Sequence, residues 1–175
     1  MEGHSPETLM DRDFLEPQPL ATPHGVVAFF DETWSVDPRE LQIFFQAEQV
    51  HWTADRSIEH WRVLLSCSRM LTARLVPEGS RGGRLVGATR LWSDHAHEAK
   101  LYDVVTARDL MGLGVATELV KWALRHPWVG DVNRFVLETR DAAEFYPRFG
   151  FKPGQEMDSV HMRVRTEDLK ARGLR

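Results

Sequence analysis

The sequence predicts an α/β fold of the α+β kind, with helices on both faces of a mixed, mostly antiparallel central sheet. Three observations lead there. In residues 71–75 and 85–91, apolar Leu71, Ala73 and Leu75 and then Leu85, Gly87 and Leu91 recur at the two-residue period of a strand. Around Leu41, Trp61 and Leu119, apolar residues recur three and four apart, the period of a helix buried on one side. Residues 102–124 read as a strand, a glycine turn and a helix. The expected order is strand, two helices, three strands, helix, strand, helix, strand, which calls for a sheet of mixed direction.

Residues 1–23, with Pro17, Pro19 and Pro23, show no sustained period and read as a loosely ordered leader whose Phe14, Leu15 and Leu20 have a surface to dock on in the domain or a second subunit. Residues 26–30 make a first strand. Asp37-Pro38-Arg39-Glu40 supplies a cap, a proline at the first helical position and an acid completing a capping box. A helix carrying Leu41, Phe44 and Phe45 should then run to about Val50. Ser57 caps a second helix that turns Ile58, Trp61 and Leu65 inward, and residues 51–56 connect the two. That connector, rich in His, Trp, Asp and Arg, has the chemistry to wall a substrate pocket through Trp52 and Arg56. Structurally, Trp52 can instead pack and Arg56 pair with an acid.

Residues 77–83 have the composition of a hairpin loop, leaving Arg81 and Arg84 as solvated charges, and residues 94–98 form another turn. The helix after Gly114 carries Ala116, Leu119, Val120, Ala123 and Leu124 as an apolar stripe and stops at His126-Pro127. Strand 134–138 and a short helix over 142–149, broken at Gly150, follow. Phe151 and residues 157–164 supply the last strand, and a charged tail begins at Thr166.

At 175 residues and 42% hydrophobic content, the chain fits one globular domain, expected over residues 24–165. A net charge of −4 removes the global basic field that a nucleic-acid backbone attracts, and no local basic patch replaces it. The single cysteine, Cys67, forbids an internal disulfide and reads as a small core residue, in keeping with a reducing cytoplasm. No apolar run reaches membrane-spanning length. Trp122 and Trp128, with the leader, suggest a homodimer surface.

Glycines at 112 and 114 before a helix make an anion seat, since glycine tolerates positive φ and the first helical amides lack intrahelical acceptors. A bare chain reversal is the alternative. The spacing His95-Ala96-His97 beside Asp94 and Glu98 invites a zinc reading, but no third ligand is pinned by spacing, and the expectation is no metal.

The run Met111-Gly112-Leu113-Gly114-Val115-Ala116-Thr117 after Asp103-Val104-Val105 resembles the acetyl-coenzyme-A signature of the GNAT acyltransferase superfamily. That signature has Arg or Gln, two variable residues, Gly, one variable residue, then Gly or Ala; it falls here on Met111, Gly114 and Ala116. Ala142-Ala143-Glu144-Phe145-Tyr146-Pro147-Arg148-Phe149-Gly150-Phe151 is similar to the superfamily's closing helix, and residues 51–57 and 137–142 resemble a subgroup of small bacterial members.

The resemblance implies a GNAT-like sheet with a splayed parallel strand pair holding the cofactor. It implies that the backbone of Asp103, Val104 and Val105 meets the pantetheine arm. The amides of Met111, Gly112, Leu113, Gly114, Val115, Ala116 and Thr117 would hold the pyrophosphate, with Thr139, Phe145 and Phe149 as further contacts. Tyr146 matches the tyrosine that protonates the departing thiolate or orients the sulfur. For the base, Asp94, Asp103, His51 and a water chain are all eligible. The implied function is acetyl-coenzyme-A-dependent N-acetyl transfer to a primary amine of a small molecule, with a peptide or protein acceptor, or an inactive acyl-coenzyme-A-binding protein, as alternatives. Trp52, Arg56 and Asp94 are the acceptor-site candidates, and the acidic loop 94–98 suits a basic peptide or a polyamine. Met111, where the pattern has Arg or Gln, removes a phosphate contact, with Arg108 in the preceding turn as the candidate to compensate; Pro147 is expected to kink the closing helix beside Tyr146.

Overall fold

The structure, a computed structural model, describes residues 17–53, 55–77 and 82–154. These form two compact units, the first ending at Glu138 and the second beginning at Thr139.

The first unit runs β1 (Leu20–Thr22), β2 (Gly25–Asp31), α1 (Pro38–Ala47), α2 (Ile58–Ser66), β3 (Arg69–Val76), β4 (Arg84–Ser93), β5 (Glu98–Thr106), α3 (Val115–Arg125) and β6 (Arg134–Leu137). Its six strands lie side by side in chain order. Neighbours from β1 to β5 are antiparallel, joined by short turns or by α1 and α2, whereas β5 and β6 are parallel because α3 carries the chain back across the sheet.

Side-chain direction shows how the two faces are covered. A Cβ added at Gly87 of β4 would sit 3.0 Å from Leu119 and Val115 of α3 and 3.2 Å from Ala73 of β3. The next β3 residue, Arg74, points to the opposite face and holds both carboxylate oxygens of Glu40 on α1, at 2.7 Å each. So α3 lies on one face and α1 on the other. Burial on both faces explains why β3 and β4 are enclosed almost end to end, including Thr72, Arg74, Thr89 and Arg90.

Several elements differ from the sequence reading. Leu20 belongs to an edge strand rather than to a loose leader, and its side chain is the nearest neighbour that a Cβ at Gly114 would meet. Helix α1 ends at Ala47, before Val50. Asp37 caps it through the Arg39 amide, but Glu40 leaves the capping box for Arg74, whose buried guanidinium needs a counter-charge. Cys67 is exposed at the end of α2 instead of in the core. The stripe on α3 is turned by one residue: Val115 and Trp122 are buried, while Ala116 and Leu124 are half-buried. Trp122, only 2% exposed, is therefore core and no dimer surface. Arg84 pairs with Asp109 instead of standing free. Strand β6 stops at Leu137, one residue short of the expected end.

In the second unit, the helix expected over 142–149 is a 3-10 helix, Ala143–Phe149, with Pro147 inside it and Gly150 closing it at φ +89°. Proline lacks the N–H that an α-helical ladder would use here. Phe145 packs edge-on against Tyr146 and Phe149, and Tyr146 against Phe151. The strand and tail expected over 157–175 lie outside the described residues.

Close approach of α3 to β4 depends on the missing side chain at Gly87. Gly87→Val should cost about 1–3 kcal/mol through overpacking. Urea denaturation reads this as a lower midpoint at unchanged slope; an unchanged midpoint would mean that α3 can lift away freely.

Candidate active site

The parallel pair β5–β6 is short. Its register runs from Glu98 opposite Arg134 to Leu101 opposite Leu137, where β6 ends, while β5 continues to Thr106. Among the described residues, no strand flanks 102–106 on that side, so backbone groups there face an open edge. The same five residues contain a β-bulge: Ala88 pairs with Val105 and Arg90 with Tyr102, leaving Thr89 opposite both Asp103 and Val104. Asp103 takes φ +54°, a left-handed conformation that a non-glycine residue adopts only where its surroundings hold it. The bulge thus falls in the part of β5 that β6 does not flank.

Beyond β5 the chain turns through Arg108–Leu110 into the glycine loop. Gly112 and Gly114 have φ +79° and +93°, and Gly114 is the N-cap of α3 with no side chain capping it. Among the described residues, the amides of Gly112, Gly114, Val115, Ala116 and Thr117 find no acceptor, whereas those of Met111 and Leu113 bond back to Arg108 and Leu110. Five unpaired N–H groups at the positive end of an 11-residue helix make a backbone anion seat without a charged side chain. Met111 is 69% exposed. Arg108 does not take its place: it is tied to the end of α1 by Gln49 Oε1 at 2.9 Å and the Glu48 carbonyl.

On the α1 face of the sheet, the connector between α1 and α2 meets the bulge. The Asp103 carboxylate accepts from Trp52 Nε1 at 3.2 Å and Arg56 Nη2 at 3.0 Å on one oxygen, and from Arg90 Nε at 2.8 Å on the other. Arg56 Nη1 lies 2.9 Å from that second oxygen without hydrogen-bond alignment. Burial pushes the Asp103 carboxyl up, but the Arg56 hydrogen bond and the charges of Arg90 and Arg56 outweigh it and hold the group below the usual carboxylate range. Asp103 is therefore a fixed anion. Its side chain is spent on these partners, which leaves its backbone alone to serve the open edge.

The other expected residues are spread more widely. Asp94 accepts from the amides of Ala96, His97 and Glu98, which bring its pKa to about 2, so it is a turn cap with poor basicity. His51 is exposed and stands edge-on to Trp52, making no hydrogen bond among the described residues. Thr139, Phe145, Tyr146 and Phe149 belong to the second unit. There Thr139 Oγ1 accepts from the Ala142 amide, and burial pushes the Tyr146 phenol up, keeping it protonated at neutral pH. Sequence reasoning passed over Arg90. An arginine in the interior of β4, among mostly apolar residues, was the available signal, since a buried guanidinium requires a built partner.

A family model described as Acetyltransferase (GNAT) family matches residues 28–151. The chain belongs to the GNAT acetyltransferase family. Two curated Glycine max proteins, Histone acetyltransferase TAP1 and Probable acetyltransferase TAP2, are each 31% identical over 80 residues, or 45% of this chain. Those residues span only about a third of the relatives' length, 35% and 32%. Among solved structures, a GNAT-family protein from Xanthomonas campestris pv. campestris aligns at TM-score 0.62 and 24% identity, covering 78% of this chain and 93% of its own. Glucosamine-6-phosphate N-acetyltransferase of Arabidopsis thaliana aligns at TM-score 0.55 and 12% identity, covering 80% and 98%. At such identities these neighbours speak for the fold alone. The open β5 edge and the unpaired amides before α3 lie inside the matched residues of this GNAT chain.

Losing the Asp103 charge strands two buried guanidiniums, so Asp103→Asn should cost about 3–5 kcal/mol, read by urea denaturation at pH 7. Acid should act in the same direction. Burial pushes the Asp31 carboxyl up, but hydrogen bonds from His126 and Thr33 more than offset it and bring it from 3.8 to about 2. Folded-state values lowered in this way give stability that is full above about pH 4 and lost as pH falls through them. The denaturation midpoint should drop between about pH 4 and pH 2, less steeply in Asp103→Asn; a flat profile would contradict the assignment.

Proposed function

We propose that this chain is an acetyl-coenzyme-A-dependent N-acetyltransferase acting on a primary amine of a small molecule. The observation that carries the reading is a run of unpartnered backbone among the described residues: the unflanked β5 edge at residues 102–106 and, one turn later, the unpaired amides of Gly112, Gly114, Val115, Ala116 and Thr117. A coenzyme with an amide-bearing arm and a pyrophosphate has the groups to match both parts. When bound, it supplies an acetyl thioester.

The chain's own residues then have three tasks. The backbone of Val104 and Val105 fixes the arm along the open edge, and the amides before α3 hold the phosphates. Trp52 and Arg56, in the α1–α2 connector, border the acceptor. Transfer needs a neutral amine and a proton for the sulfur. Tyr146 is the proton donor that the family pattern puts forward, and its buried, protonated phenol has the form a donor needs. Asp103 and Asp94, both held ionised by their partners, are weak bases; His51 and a water chain remain for deprotonating the amine.

A second reading, transfer to a peptide or protein amine, draws on the name of the soybean histone acetyltransferase, which is similar over 80 residues.

Acetyl-coenzyme A should raise the melting temperature, because a ligand selective for the folded state stabilises it. No shift at millimolar cofactor would sink the proposal. Thiol release should appear with some small amine in a panel and fall sharply in Tyr146→Phe; release only with peptides would favour the second reading. Met111→Arg should tighten coenzyme A binding about tenfold by adding a charge-assisted phosphate contact. Unchanged affinity in calorimetry would show that position 111 points away from the phosphates.

A further inference from the structure

Among the described residues, the Asp103 cluster carries more positive charge than it neutralises. Two guanidiniums share one carboxylate, and all three groups are largely buried, with side-chain exposures of 15% for Arg56, 7% for Arg90 and 2% for Asp103. Nearby Lys100 adds no surplus because Glu138 pairs with it at 2.9 Å.

Arg90 is the unusual member. Its only side-chain hydrogen bond among the described residues leaves through Nε to Asp103. Among the described residues Nη1 and Nη2 engage no acceptor, and neither is among the fully enclosed unpaired atoms found there, Arg56 Nη1, Thr106 Oγ1 and Trp122 Nε1. The terminal pair is thus not fully enclosed, at the end of a side chain that is 7% exposed. The guanidinium lies over the Tyr102 ring, 4.3 Å from its centroid, and Asp103 fixes its Nε, so the fork is held still. Two parallel N–H groups on a rigid plane match two oxygens of a carboxylate or phosphate. A cluster built to receive a cationic polyamine would not leave its uncompensated charge positive.

Resting on the reading of the chain as an amine acetyltransferase, we infer that the acceptor amine also carries an oxyanion, a carboxylate or a phosphate monoester, held end-on by Nη1 and Nη2 of Arg90. Arg90 lies opposite Tyr102 on the neighbouring strand, and Val104 is two residues further along β5, about 7 Å at strand rise. A spacer of a few atoms between amine and oxyanion therefore fits. Trp52, 51% exposed and anchored through its N–H to Asp103, offers an indole face beside the same cluster. The surplus is one charge, so one oxyanion is expected.

The test compares matched pairs with acetyl-coenzyme A: α-, β- and γ-amino acids against their carboxamides, and O-phosphoethanolamine against ethanolamine. In one pair, kcat/KM should favour the anionic member by about tenfold or more, the usual worth of a charge-assisted fork. Whether the carboxylate or the phosphate pair shows the preference identifies the source. Arg90→Gln should bring the ratio close to one, and Arg90→Lys, which keeps the charge but not the fork, should leave it intermediate. Equal or better turnover of every uncharged member overturns the inference while leaving amine acetylation standing. If no amine is turned over, thermal shift with the N-acetylated acids and N-acetylated amides decides separately. Stabilisation by millimolar acids, absent with the amides and lost in Arg90→Gln, keeps the oxyanion site and discards transfer. No difference between acids and amides overturns the site.

Discussion

The buried carboxylate of Asp103 is the tie on which the candidate site depends. It holds a residue at φ +54° in the bulge of β5, draws Arg90 across from β4, and receives Arg56 and Trp52 from the connector between two helices. Three segments far apart in the chain thus share one anion. The electrostatics are one-sided by construction: burial disfavours the charged carboxyl, and only the two arginines keep it ionised. With Asp103 in place, the bulge has a reason to persist and the connector a reason to close over the α1 face.

The opposite face answers to a packing constraint. Helix α3 sits against β4 where Gly87 has no side chain, and that close seat sets where the helix begins. Its start is left bare, with Gly114 as cap and the following amides unpaired. Such a helix end is costly to leave dry and is satisfied by water or by an anion. The strand edge, the bulge and the helix start follow one another within 20 residues, so a single stretch of chain builds the open edge and the bare amides while the helical connector covers the Asp103 carboxylate on the α1 face.

Much of this was legible in the sequence because it is local. Glycines at 112 and 114, and the stripe of α3, specify a strand, turn and helix through backbone conformation and period alone, and the closing motif around Tyr146 is equally compact. What escaped were details set by partners distant in sequence. Cys67 was expected in the core and lies exposed at a helix end, Glu40 forsook its own helix for Arg74, and Trp122 turned inward because α3 is rotated by about one position from the simplest apolar stripe.

By itself the sequence determined the family, the order of elements from β2 to β6 and the glycine turn into a bare helix start, since each rests on contacts between neighbours in the chain. Only the tertiary structure decided that Asp103 is a counter-ion with its side chain spent, that Asp94 is a turn cap, and that Arg90 Nη1 and Nη2 meet no acceptor among the described residues. The physical reason is that charge balance belongs to a volume. Arg56, Arg90 and Asp103 are separated by up to 47 residues, and whether they cancel or leave a surplus is fixed by how β4, β5 and the α1–α2 connector pack.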